Sequence, residues 1–516
     1  MADHYFTAAA GEDADLAWLS DASGREEIRH RAFGALIAAG RVARRRFATP
    51  RAVELHEKAI SLAASDEERM DGYEEVGRDH ESAFHGDEAF AAYAEAIAVA
   101  RRLPDRTERL VVLLRRAGSI VAMRGGSFRG QPDMEAVDRL IEEGLAVATS
   151  PRERAALLLA KGAMFVRRAF PADVDVRPIE ERLAAVREAA VIAEDLDPSL
   201  QFSIVDTLTD LLMAVGDFPS ALAAMQAALP LLDQIGNPAP AAPAYFEAAM
   251  AMLDLAGDGR LALTLAERSH EIALTRSPHE QMHSTSALMR VAYRLGHWDR
   301  VEECLDEHLA NFALETGVRC INVQMGPSQG ALVLAHRGET ARALELARMP
   351  FPFEHIVGPI EGAQAEALVA AGAVDEGLAL AERVLAQAPR WRSFEAAVAA
   401  VTALTFGREA AAMTSLVTEL ADLRALGPHM AALIDRADGR ARALRGDPDP
   451  TELLRSAVDR FDEQGAVFDA AQTRELLAEV ASMEEAQTLL GDALAAYQRL
   501  RASPHAARVE ERLAAL

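Results

Sequence analysis

Lysine is almost missing from this 516-residue sequence: only Lys58 and Lys161 occur, and neither ends a Gly-x-x-x-x-Gly-Lys run. A phosphate loop needs that lysine against the β and γ phosphates, and a protein kinase needs one on a strand, so ATPase and kinase chemistry are excluded. The Gly-x-Ser-x-Gly elbow of serine hydrolases and the Gly-x-Gly-x-x-Gly dinucleotide fingerprint are absent too. Gly125, Gly126 and Gly130 have the wrong spacing to cradle a phosphate. Cysteine is nearly as scarce. Cys304 and Cys320 lie sixteen positions apart with no Cys-x-x-Cys pattern, which points to reduced buried thiols and a cytoplasmic setting. Long apolar runs are lacking as well: the longest, Phe394 to Phe406, has thirteen residues, against the roughly 20 that a spanning helix needs. The start, Met1-Ala2-Asp3-His4-Tyr5, has neither the basic region nor the apolar core of a signal peptide. No membrane segment is expected.

Aromatic residues make up only 5%, and the 50% apolar share is carried by alanine and leucine. That composition suits closely packed helices better than sheets rich in Val, Ile and Tyr. Charge of one sign is in short supply: 54 basic side chains face 80 acidic ones, a formal net charge of −26. Such an excess repels nucleic acid and anionic lipid unless basic residues segregate. The best basic cluster, Arg41, Arg44, Arg45 and Arg46, reads as a solvated helix face paired with nearby glutamates, and the doublets Arg101-Arg102, Arg115-Arg116 and Arg167-Arg168 read the same way.

What the sequence does contain is a rhythm. A glycine is followed five residues later by a small residue and four later by another apolar one, most clearly at Gly216, continuing to Ala221, Met225, Ala228 and Leu229. Further copies start at Gly257, Gly296, Gly338, Gly372 and Gly407, and Gly446 extends the series at intervals of 34 to 42 residues. That period matches tetratricopeptide-type and longer helical hairpins. Glycine closes the first helix because it accepts positive φ, and the small residues beyond let the two helices approach. Ala52, His56 and Ala59, and then Ala89, Tyr93 and Ala96, repeat the small-large-small spacing earlier in the chain. Pro151, Pro198, Pro278 and Pro428 each stand at the first turn of a periodic segment. Gly125 to Pro132, Phe170 to Pro178 and Met349 to Phe353 are expected to be loops.

The expected architecture is therefore all-α, an elongated right-handed α-solenoid of about a dozen tetratricopeptide-like hairpins. Residues 1–30 form a lead-in, 31–445 the repeat array, and 446–516 C-terminal repeats and a cap. Residues about three, six and ten before each turn glycine share the inner face of a first helix. That phasing selects Asp206, Asp210, Glu247 and Asp254 in two hairpins, and Ser286, Arg290, Tyr293 and Arg294 with His283 in the next. A concave groove running from acidic to basic, and binding a protein or peptide partner or a small-molecule inducer, is the resulting expectation.

One metal pattern is formally present. His279-Glu280-Gln281-Met282-His283 matches the His-Glu-x-x-His of zinc peptidases, in which imidazoles one helical turn apart hold zinc and the glutamate polarises water. Ser286 and Met289 stand where the longer signature has Gly and His, so Glu302 or Glu303 would have to improvise a third ligand. The motif also opens a helix after Ser277-Pro278, so these read as ordinary helix-start residues, and no cofactor or metal is expected. Abundant acidic pairs such as Asp13/Asp15 and Glu74/Glu75 carry no catalytic weight in so acidic a chain.

The stretch Phe461-Asp462-Glu463-Gln464-Gly465-Ala466-Val467-Phe468-Asp469-Ala470-Ala471-Gln472, continuing to Ala478, resembles the C-terminal helical repeats of large bacterial signalling ATPases. So does Ala493 to Leu500, followed by Pro504 and Ala507 to Glu510. These families include LuxR-type ATP-binding transcriptional regulators and class III adenylate cyclases with ATPase and tetratricopeptide-like domains. His4-Tyr5, Arg31-Ala32-Phe33, Ala39-Gly40 and Ala52 to Leu55 look like the junction where such proteins leave the ATPase. The resemblance covers essentially the whole chain but only the sensor half of that architecture. It implies a non-catalytic helical scaffold for a regulator, peptide or inducer in bacterial signalling and transfers neither cyclase nor ATPase activity. Two rival readings are a metal-dependent hydrolase built on His279, Glu280 and His283, and a detached C-terminal part of a cyclase or ATPase regulator.

Overall fold

The computed structural model describes residues 1–11, 14, 18, 21–104, 107–163, 177–314, 320–351, 358–387, 394–406, 409–447 and 449–516. Gly407, Arg167-Arg168, Asp13/Asp15, Pro352-Phe353 and all but the end of the Phe170 to Pro178 segment lie outside the described residues. Among the described residues there is no strand, and the helices pack in consecutive pairs, as an all-α array of tetratricopeptide-like hairpins does. No helix there is long and apolar enough to cross a membrane. The chain divides into two compact units, Met1–Leu200 and Gln201–Leu516.

The first unit holds α1 (Ala2–Ala10), α2 (Ala22–Arg45), α3 (Thr49–Leu62), α4 (Asp66–Ser82) and α5 (Gly86–Ala100). It continues with α6 (Thr107–Met123), α7 (Met134–Val147), α8 (Pro151–Ala163) and α9 (Ile179–Ala193). Its hairpins are α2/α3, α4/α5, α6/α7 and α8/α9. Ala52, His56, Ala59, Ala89, Tyr93 and Ala96 are all fully buried between these helices, so the small-large-small spacing marks the packed face. Two of the four clustered arginines are paired as expected: Arg41 and Arg44 reach Glu75 of α4 at 2.8 and 2.7 Å, and Arg44 also reaches Asp79 at 2.9 Å. The Gly125 segment is a short 3-10 turn, Gly125–Ser127, followed by irregular chain up to α7.

Helix α10 (Pro198–Ala214) crosses the division, and the second unit continues with α11 (Phe218–Leu232), α12 (Pro238–Ala251) and α13 (Gly259–Ala273). Then come α14 (Pro278–Arg294), α15 (Trp298–Leu314), α16 (Ile321–Arg337), α17 (Thr340–Ala347), α18 (Gly358–Ala370) and α19 (Val374–Gln387). The last seven are α20 (Phe394–Phe406), α21 (Ala410–Glu419), α22 (Pro428–Arg445), α23 (Pro450–Gln464), α24 (Val467–Ala478), α25 (Met483–Leu500) and α26 (Ser503–Ala515). The even-numbered helices from α12 to α24 are the first helices of their hairpins, and α12, α14, α16, α18, α20 and α22 pack side by side.

The turn glycines do what the spacing requires. Gly296 and Gly338 take φ of 75° and 95°, values that a side chain disfavours, and each closes a first helix. After Gly216, Ala221, Met225 and Ala228 are buried to within 2% of full burial. Ser277 and Glu280 form a reciprocal capping box at the start of α14, which satisfies two backbone donors there.

Within Gln201–Leu516 the array is coiled rather than elongated. The Gly257 turn packs on Pro428 and Gln464, the Gly296 turn on Val467 and Leu500, and the Gly338 turn on Pro504. Each turn thus touches the ends of the hairpin five further along the chain. Tilted aromatic contacts reinforce the closure: Phe468 lies 5.2 Å from Trp298 and 4.2 Å from His336 between ring centres. His336 in turn meets His505 with a 3.2 Å nitrogen-to-nitrogen hydrogen bond. First helices wrapped through a full turn of a superhelix leave space along its axis.

Candidate binding cavity

That space is a cavity of about 630 Å³, walled by α14, α16, α18, α20, α22, α24 and α26, with Val374 at the start of α19. The size falls within the range of small-molecule sites. Its apolar surface comes from Leu332, Val369, Phe394, Val398, Phe406 and Phe468, and its amides from Gln329 and Gln472. The position six residues before a turn glycine places Arg290, Leu332, Glu366 and Arg440 on this wall from four different hairpins.

The charges in the wall are largely matched to one another. Arg290 binds Asp254 at 2.9 Å and Glu395 at 3.0 Å, and Arg294 binds Asp254 at 3.1 Å. Both guanidinium groups lie over the Phe394 ring, 5.2 and 5.6 Å from its centre, where the ring's negative face attracts them. Glu475 accepts from Tyr497 at 2.6 Å and from Arg508 at 2.7 Å, and Arg512 lies 3.5 Å away. Asp469 holds the fully buried Arg436 at 3.2 Å, and Arg440 pairs with Glu479. Burial drives His336 and His429 well below the usual imidazole range and His505 to about 4, so all three are neutral near pH 7.

Glu366 differs from the rest. It stands on α18 facing the cavity, partly open to it but enclosed by protein, and among the described residues no cation lies in ion-pair distance. Burial, with the Glu395 charge next, outweighs the more distant Arg290 and Arg294 and pushes its carboxyl up to about 8. A carboxyl of that kind is mostly protonated at neutral pH and donates a hydrogen bond.

Of the residues selected by phasing, Arg290, Tyr293 and Arg294 line the cavity, and Asp254 sits behind them as the counter-ion of both arginines. Asp206 (buried), Asp210 and Glu247 (half-buried) are not among its lining residues. Ser286 donates to Gln329 at 2.8 Å and braces α14 on α16. The glutamates that might complete a His279 and His283 metal set are engaged elsewhere: Glu302 with Arg337 at 2.6 Å and Glu303 with Arg300 at 2.9 Å. Glu280 is held in the capping box and by Arg276 at 3.1 Å. Further polar residues of the cavity, among them Glu366, Glu395, His429, Asp469, Gln472 and Arg508, come from other hairpins than those the phasing selects. Glu366 and Arg440 obey the same six-residue rule. Those on α24 and α26 depend on the superhelical closure, which no local spacing encodes.

No protein-family model matches the chain, and no curated protein matches its sequence. Among solved structures, a Rap protein complexed with competence and sporulation factor is similar at 11% identity, covering 75% of this chain and 99% of that one. The TM-score is 0.39, a superposition too loose to argue from.

Proposed function

We propose that the chain is a non-catalytic sensing scaffold of a bacterial signalling system, whose Gln201–Leu516 unit takes a small amphiphilic molecule into the cavity enclosed by its first helices. The observation that carries this reading is the 630 Å³ cavity itself, with an aromatic and aliphatic wall, paired ions and a carboxyl, Glu366, that has no ion-pair partner among the described residues. An anionic ligand would have to break existing ion pairs to be held. A neutral or amine-bearing ligand needs only Glu366 and the amides of Gln329 and Gln472. Seven helices from distant parts of the sequence meet around the space, so occupancy couples them and favours one superhelical curvature. The resemblance of the C-terminal repeats to those of signalling ATPases supports the regulatory setting. A hydrolase centred on Glu280 is disfavoured, because that carboxylate is spent on capping α14.

Nile red, a neutral dye that brightens in apolar surroundings, tests the cavity directly. Saturable one-to-one binding is expected for the unaltered chain. Ala370→Trp and Thr402→Trp, which place an indole in the cavity, should each weaken it at least about tenfold with an unchanged helical circular dichroism spectrum. Equal binding by both variants would show that the dye, and the proposed ligand, sit elsewhere. Binding of a peptide segment instead would appear as capture of a peptide, not a small molecule, by the purified chain.

A further inference from the structure

The sequence leaves His279 and His283 without a third ligand, but the fold supplies one from another hairpin. Cys320 is the N-cap residue of α16, and its Sγ lies 2.7 Å from His283 Nε2. The His279 and His283 rings are 4.8 Å apart between centres, and one ligating atom from each of the three residues falls within 4.8 Å of the others. Zinc bonds of 2.0–2.1 Å to nitrogen and about 2.3 Å to sulfur, set tetrahedrally, place ligand atoms roughly 3.3–3.6 Å apart. The three ligand atoms would have to close from within 4.8 Å to that spacing when a metal binds.

The surroundings suit a metal as well. Phe246 of α12 packs 5.6 Å from the His283 ring and holds its plane, and the neighbouring Glu247 is close enough for its charge to act on Cys320. Burial pushes the Cys320 thiol up to about 11, and the backbone N–H groups of Val323 and Asn322 only partly offset it, so a metal would have to displace the thiol proton on binding. Two imidazoles with a thiolate select zinc over magnesium or calcium, whose ligands are oxygens.

We propose that His279, His283 and Cys320 bind one zinc ion, with the fourth position taken by water. The site is structural or regulatory, because Glu280, the residue that would polarise a water in a peptidase, caps α14 instead. It ties α14 to α16 beside α12, at the end of α14 opposite the arginines that enter the cavity. On binding, the Cys320 thiol gives its proton to solvent and the sulfur lone pair goes to zinc.

The test uses the full chain, stripped with a chelator and titrated with Co²⁺. A near-ultraviolet sulfur-to-cobalt charge-transfer band that saturates at one equivalent and is displaced by Zn²⁺ is expected. Cys320→Ser should abolish the band, His283→Gln should weaken binding at least about tenfold, and Cys304→Ala and Glu280→Gln should leave it intact. Alkylation of the unaltered chain provides a readout without mutation: zinc should protect Cys320 from iodoacetamide. No charge-transfer band, a band that survives Cys320→Ser, or an unchanged alkylation rate with zinc would each overturn the site.

Discussion

Replacing Glu366 by glutamine should make the protein more stable, and only above the pH at which an ordinary glutamate ionises. The carboxyl sits in the cavity wall with a pKa raised from 4.5 to about 8. Below pH 4.5 it is protonated in both the folded and the unfolded chain, and it has no effect on the balance. Between 4.5 and 8 the unfolded chain releases its proton while the folded chain keeps it. Stability therefore falls as pH rises through that window and levels off above 8. At about 1.4 kcal/mol per pKa unit the full shift corresponds to roughly 5 kcal/mol, and solvent reaching the side chain through the cavity reduces this to about 2–4. Glutamine keeps the shape and the hydrogen-bonding capacity of the protonated acid and cannot ionise. For a unit of this length that is a rise of roughly 3–6 °C in melting temperature at pH 8.5, with no difference at pH 4.5. Thermal melts of the two proteins by circular dichroism across pH 4.5 to 8.5 measure it, and their difference cancels every other titrating group except the coupled Glu395. If the variant melts at or below the parent at pH 8.5, Glu366 is held ionised by a partner and the electrostatic reading of the cavity is wrong.

Asp254→Asn removes the counter-ion shared by Arg290 and Arg294. Arg290 retains Glu395 at 3.0 Å, so a loss of about 2–3 kcal/mol is expected, below the full cost of breaking a buried pair, read from urea denaturation. Gly427→Ala would put a methyl group 1.9 Å from the Asp254 carbonyl oxygen, where the start of α22 meets the turn five hairpins earlier. It should cost about 2–3 kcal/mol through forced backbone separation and weaken dye binding as well, since the displaced helix α22 carries His429 and Arg440 of the cavity wall. Unchanged dye affinity in a destabilised Gly427→Ala protein would uncouple the closure from the site.

The hairpins were legible because their signals are local. A glycine at positive φ, a small residue five further on and a proline at a first helical turn each act within one or two helical turns, and Gly216, Gly296 and Gly338 all adopt the expected backbone. Inner-face phasing has the same origin, which is why Arg290, Tyr293 and Arg294 reach the cavity. Coiling of the second unit depends instead on how turns such as Gly257 and Gly296 fit Pro428 and Val467 far along the chain. For the same reason Asp254, selected as one end of a charge gradient, emerged as the partner of the arginines at the other. The third zinc ligand was hidden likewise: Cys320 is 37 residues from His283 and meets it only through the packing of α14 on α16.

The most direct measurement is native mass spectrometry of the chain isolated from its source cells without denaturation, beside Ala370→Trp. The account predicts one small-molecule adduct per chain in the parent and none in the variant. A parent that carries no small-molecule adduct, or the same small-molecule adduct in both proteins, would contradict it.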